Sequence, residues 1–284
     1  MNVYSKLAKT AILAAGIVAF IGCQEEKVFQ PWQPDNVISL DEVSPLGITA
    51  VGDDLWVSDS DRNQLVKIDE NGKTLATIGG FDRPMHIATD GDHIIVPQYG
   101  NDEISRVALT SKQINNVDLA FGNEQQNDSL DAPAGVWKEG NELAIADFYN
   151  HRFLYKNAQD QWLIIGQQGK KDGEFYYPTD IQLTTDRIIV ADAYNHRVQV
   201  FDKQGNHLNT IGVEQNMNAA TGIWMAEKEL YVTDFENDRV LVFDLDGKVI
   251  QEFTGIEKPT DIIIHKAKLY ITSYRGGKLH VFKG

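Results

Sequence analysis

Cysteine is nearly absent: Cys23 is the one thiol in 284 residues. No intramolecular disulfide can form, and no cysteine-based zinc cluster can be built. Basic residues are scarce as well, with Lys+Arg 26 against Asp+Glu 41 and a formal charge of -15. A uniformly acidic body has no surface that neutralises phosphates, so no nucleic acid is expected as a partner. The apolar run from Ala11 to Ile21 is shorter than the roughly 20 residues a bilayer-spanning helix needs. No segment keeps a 3.6-residue apolar period, so helix is a minor component. The hydrolase signatures Gly-x-Ser-x-Gly and His-Glu-x-x-His are both missing. What is present, 42% hydrophobic and 24% charged residues, is the composition of a folded globular chain.

The N-terminus reads as an address. Lys6 and Lys9 precede the apolar run, and small residues lead to the break Phe20-Ile21-Gly22-Cys23. This order describes a secretory signal over residues 1–22. The break resembles a bacterial lipobox, which implies lipidation of Cys23 and attachment to a membrane. Gln24 follows the cysteine where inner-membrane retention would place Asp, so the resemblance implies the outer membrane. Residues 23–36, with Pro31 and Pro34, read as the lipidated cysteine and a polar tether.

Internal repeats govern the rest. Units begin at Pro45, Pro84, Pro133, Pro178, Ala220 and Pro259, and the 240 residues from Pro45 to Gly284 divide into six with a mean period of 40. Each holds short β-branched and aromatic runs separated by Gly, Asn and Asp. Four strands per unit at this period predict an all-β, six-bladed β-propeller over residues 37–284. The sixth unit stops after its third strand, at Val281-Phe282-Lys283-Gly284. Asn36–Leu40 has strand character and is expected to complete that last blade, leaving fewer open edges.

Three units repeat Asp-x-x-Asn-x-Arg before a Val-x-Val-Phe-Asp-type strand: Asp147/Asn150/Arg152, Asp192/Asn195/Arg197 and Asp234/Asn237/Arg239. This pattern resembles the NHL-repeat family of β-propellers. A residue that recurs wherever one geometry recurs is read as scaffold, with Asp and Arg pairing across a hairpin. His151 and His196, between the Asn and the Arg, read as exposed turn residues. The next slot after the Asp reads Ser60, Tyr99, Phe148, Ala193, Phe235 and Tyr274. Its aromatics Tyr99, Phe148, Phe235 and Tyr274 form either a collar for a partner or packing between blades.

The third residue of each unit reads Gly47, His86, Gly135, Asp180, Gly222 and Asp261. Glycine alternates with a ligand-type side chain around the ring. His86, Asp180 and Asp261 are therefore candidate ligands for Zn²⁺ or Ca²⁺, although Asp at this slot also caps backbone N–H groups. No cofactor is otherwise expected. NHL relatives include peptidyl-hydroxyglycine lyases, and calcium lactonases share the six-bladed shape. Histidine is absent after each unit's first residue, and no Glu/Asn/Asn/Asp set is in register. The expected function is a binding or scaffolding propeller for an envelope or extracellular protein, peptide or glycan, with the loop Ser111–Asp131 and Tyr99 as contact surface. The alternative is a metal-dependent hydrolase or lyase in the central channel.

Overall fold

The computed structural model describes residues 29–117, 119, 121 and 129–284. The signal segment, Cys23 and most of the loop between Asp118 and Asp128 lie outside the described residues. The compact body is Pro31–Gly284. It is a six-bladed β-propeller of six four-stranded antiparallel sheets.

The inner strands are Pro45–Val51, Ala88–Asp90, Pro133–Glu139, Pro178–Leu183, Ala220–Ala226 and Pro259–His265. Blade two has the shortest, preceded by an isolated bridge between Pro84 and Gln98. The expected closure is present: Gln33–Ser39 pairs antiparallel with Lys278–Lys283 and places Val37 opposite His280. Residues 33–36 of the expected tether thus belong to the outer strand. Trp32 extends the closure to blade five. Its Nε1 donates to Tyr231 Oη at 2.8 Å, and its backbone exchanges bonds with the Gln251 side chain. Burial pushes the Tyr231 phenol up to about 12, the Trp32 bond opposing it.

The core lies between blades. Phe153 and Phe201, from blades three and four, pack with Phe175 and Ile181 in one buried cluster. Each such side chain contributes roughly 1.5–3 kcal/mol by leaving water.

Two repeated polar contacts hold the segments that enter the inner strands, the first from the same blade's second strand and the second from the preceding blade. In the first, the Asp slot reaches the N–H two residues before an inner strand. Asp147 accepts from Asp131 N at 2.8 Å, Asp192 from Tyr176 N at 2.8 Å and Asp234 from Asn218 N at 2.6 Å. The same carboxylates take Arg152, Arg197 and Arg239 Nε at 2.7, 2.8 and 2.7 Å. Asn150, Asn195 and Asn237 Nδ2 donate to them as well. Gln98, at the slot that lost its Asp, keeps the contact by accepting from Asp82 N at 2.8 Å.

In the second, a left-handed turn residue accepts from the N–H just before the following inner strand. Asn63, Asp102, His151, His196 and Asp238, with φ of 52–62°, receive Arg83, Ala132, Tyr177, Ala219 and Lys258 at 2.7–3.2 Å. The two histidines are therefore blade-to-blade acceptors through Nδ1, and not merely exposed turn residues. The shared signal is an acceptor-bearing side chain at one slot of five units.

Candidate functional site

The alternation at the third slot has a steric cause. A Cβ at Gly47 would sit 2.6 Å from Met85 O and 2.9 Å from His86 Cα. At Gly135 it would meet Asp180 Cα at 2.7 Å, and at Gly222 it would meet Thr260 O at 2.1 Å and Asp261 Cα at 2.9 Å. Glycine on blades one, three and five lets the inner strands of blades two, four and six approach to contact. The side chains those strands carry are then crowded onto the channel axis.

His86, Asp180 and Asp261 converge there. Each is buried, and each offers a ligand atom within 4.8 Å of the others. The carboxylates are oriented by backbone N–H groups. Asp180 accepts from Ile181 N and, on blade five, Ile223 N, both at 2.8 Å. Asp261 accepts from Ile262 N and, on blade one, Ile48 N, again at 2.8 Å. The capping role and the convergence thus coexist. His86 is 4% exposed, and among the described residues its Nδ1 has no hydrogen-bond partner. Asp261 Oδ2 is 3.5 Å from it, an ion-pair contact at the outer limit of hydrogen-bond length.

Burial pulls the His86 imidazole toward neutrality, but the Asp180 and Asp261 charges outweigh it and its pKa lies above the usual value. Burial also raises Asp180, to about 7, with His86 opposing and Asp261 adding to the rise. Two carboxylates beside one imidazole in a low-dielectric site are short of positive charge.

These residues line a channel pocket of 190 Å³ together with Trp137, Trp224 and His265. The Trp137 and Trp224 rings lie 5.6 Å apart, edge to face. Trp137 Nε1 and His265 Nε2 are buried without hydrogen-bond partners among the described residues. Thus three unpartnered polar atoms border one cavity. His265 was not legible as a pocket residue because it lies four positions beyond Asp261, outside the slot that alternates.

The other end of the channel carries a different surface. Tyr99, Phe148, Tyr149, Tyr176, Tyr177 and Tyr194 form one contiguous aromatic cluster on blades two to four. Phe148 stacks on Tyr177 at 4.7 Å and meets Tyr99 at 5.5 Å and Tyr149 at 5.0 Å. Tyr194 meets Tyr177 at 5.2 Å, and Tyr176 meets Tyr177 at 4.5 Å. Tyr149 and Tyr194 remain 47% and 52% exposed. Arg83 caps the edge, 4.5 Å from the Tyr99 ring centre.

The expected collar is only half assembled here. Tyr99 and Phe148 join the cluster, whereas Phe235 faces Lys258 at 5.5 Å and Tyr274 donates to Asp61 at 2.7 Å. Burial and that Asp61 bond push Tyr274 up to about 12. The missed members are in turn dipeptides, Phe148-Tyr149 and Tyr176-Tyr177, and in Tyr194. Of the loop expected beside Tyr99, the described Phe121 packs at 5.5 Å on Trp162 of blade three instead.

Comparison with known proteins places this architecture. The NHL repeat pattern matches residues 175–201, which include the inner strand of blade four. "Protein brain tumor" of Drosophila melanogaster is 24% identical over 127 residues, spanning 43% of this chain and 12% of that protein. The chain therefore corresponds to a small part of that relative. A streptogramin B lyase structure superposes with a TM-score of 0.62 at 16% identity, covering 88% of this chain and 86% of that one. An auxiliary nutrient binding protein from Bacteroides thetaiotaomicron gives 0.66 at 12% identity, covering 84% and 68%. A chain of a nidogen/laminin complex gives 0.60 at 16% identity, covering 74% and 80%. At such identities the likeness is one of fold. The chain is thus a six-bladed β-propeller that carries an NHL repeat over residues 175–201.

Proposed function

We propose that this chain is a recognition propeller, held by lipid on Cys23 at the outer membrane, that docks a protein partner on the aromatic face of blades two to four. The observation that carries this reading is the cluster around Phe148. Its inner rings pack blade against blade, and its outer rings, Tyr149 and Tyr194, stand about half exposed. Tyrosine supplies large, rigid contact area with a hydroxyl for hydrogen bonding, at low entropic cost. Such a concentration at one end of a rigid scaffold is the usual composition of an interface centre. The lipobox-like break at Cys23 supports the anchor. A propeller in a nidogen/laminin complex and an auxiliary nutrient binding protein among the similar folds support a binding role.

The test is affinity capture from an envelope extract with the wild-type chain and a Tyr149→Ala/Tyr194→Ala variant. The reading expects a protein enriched by the wild type and lost in the variant, with melting unchanged. Equal capture by both overturns it. Elution of the captured material by a soluble glycan would replace the protein partner with a carbohydrate.

A metal-dependent hydrolase or lyase is the second reading, and the convergence of His86, Asp180 and Asp261 favours it. It predicts turnover of lactone, ester or amidated-peptide substrates by zinc-loaded chain, lost on His86→Ala. No turnover across those classes would remove it.

A further inference from the structure

We propose that His86, Asp180 and Asp261 form a binding site for one divalent transition-metal cation, best matched by Zn²⁺, at the floor of the channel pocket. This site is separate from the aromatic face and independent of whether that face docks a partner.

Three observations converge on it. The ligand atoms come from three alternate blades, and all lie within 4.8 Å of one another with every residue buried. Zinc bonds of about 2.0–2.2 Å would require a contraction of about 1 Å, within reach of side-chain rotation. Second, His86 Nδ1 is a buried nitrogen with no hydrogen-bond partner among the described residues, so the protein leaves a ligand position free. Leaving such an atom unpaired costs about 1–3 kcal/mol, and a metal bond would remove that cost. Third, the charge is unbalanced. Among the described residues no lysine or arginine pairs with Asp180 or Asp261, and His86 can supply one positive charge against two negative ones. A dication with neutral imidazole cancels both carboxylates.

The backbone bonds favour this use. Each carboxylate oxygen already accepts one N–H, from Ile181, Ile223, Ile262 or Ile48, and keeps a further lone pair. Those bonds hold the ligands in place as outer-shell partners do in metal sites. One imidazole and two carboxylates suit zinc; calcium prefers six to eight oxygens, more than this site offers. Trp137 Nε1 and His265 Nε2 line the same pocket, where an oxygen-bearing small molecule would find a donor.

The test uses the full chain, purified in detergent without a tag, stripped with chelator, loaded with ZnCl₂ and desalted. The expected result is about one zinc per chain, a raised melting temperature and proton release on binding. His86→Ala is expected to bind at least about tenfold more weakly, with no zinc-dependent rise in melting. Calcium is expected to compete poorly. Failure of the wild type to retain zinc or to shift its melting overturns the proposal, as does equal retention by His86→Ala. If that variant does not fold, His86→Gln and the wild-type melting shift decide the question alone.

Discussion

Asp261, in the last blade, accepts a hydrogen bond of 2.8 Å from the backbone N–H of Ile48, in the first. A side chain on the channel axis thus closes the ring from inside, while Gln33–Ser39 closes it from outside through Lys278–Lys283. Asp180 makes the equivalent link from blade four to Ile223 of blade five.

Asp261→Ala should therefore be costly. It leaves the buried N–H groups of Ile48 and Ile262 without acceptors, at about 1–3 kcal/mol each. A loss of about 2–4 kcal/mol is expected in denaturant unfolding. A loss below about 0.5 kcal/mol, the range of ordinary surface changes, would show that the link holds nothing.

Gly222→Ala tests the steric account of the alternating slot. Its methyl would meet Thr260 O at 2.1 Å, a backbone atom that cannot rotate away. The expected cost is about 1–3 kcal/mol or more from overpacking between blades five and six. Gly79→Ala is the control, because a Cβ there meets nothing within 4 Å and no positive φ is involved. Chemical unfolding should separate the two variants clearly.

His151 provides a pH prediction. Its Nδ1 must stay unprotonated to accept Tyr177 N at 3.2 Å. Burial lowers its pKa below the usual 6.5, with the Asp192 charge opposing. The folded state then binds fewer protons than the unfolded one, so this contribution is present above about pH 6.5 and is lost as pH falls below it. Asn occupies the same slot at Asn63, where its Oδ1 accepts from Arg83 N at 2.8 Å. His151→Asn should hold its melting temperature at neutral pH and lose less of it than the wild type at pH 5. A steeper acid loss in the variant would contradict the acceptor role.

The repeated Asp–Arg pair should count by burial. Asp192 is fully buried, with Arg197, Asn195, Gln199 and Tyr176 N around it. Arg197→Ala leaves that buried carboxylate without its cationic partner and should cost about 3–5 kcal/mol. Blade one has Gln64 at the Arg slot, and Arg62, at the Asn slot, lies 3.4 Å from Asp59 and is 45% exposed; its replacement by alanine should cost no more than about 1 kcal/mol. Equal losses in the two variants would contradict the dependence on burial.

The blades were legible because the repeat is carried by β-branched runs and turn residues, whose chemistry acts locally. The closing strand was legible from the missing fourth strand of the last unit. The channel cluster was legible because one slot alternates, and alternation around a ring implies convergence. The aromatic face was only half legible. A slot-by-slot reading groups Phe235 and Tyr274 with Tyr99 and Phe148, but Lys258 and Asp61 take the first two. Tyr176 and Tyr177 stand at repeated positions that carry no aromatic in the other units, and only the approach of blade four to blade three brings Tyr177 onto Phe148. The acceptor role of His151 and His196 escaped because it depends on a left-handed backbone turn that aims Nδ1 at the next blade.

Site-specific photocrosslinking at Tyr194 in living cells tests the central claim most directly, with Leu208 on the outer strand of the same blade as control. Both positions are about half exposed, at 52% and 51%, so accessibility does not distinguish them. A recognition face at Phe148, Tyr149 and Tyr194 predicts a discrete protein adduct at Tyr194 and none at Leu208. No adduct at either position, or the same adduct at both, would contradict it.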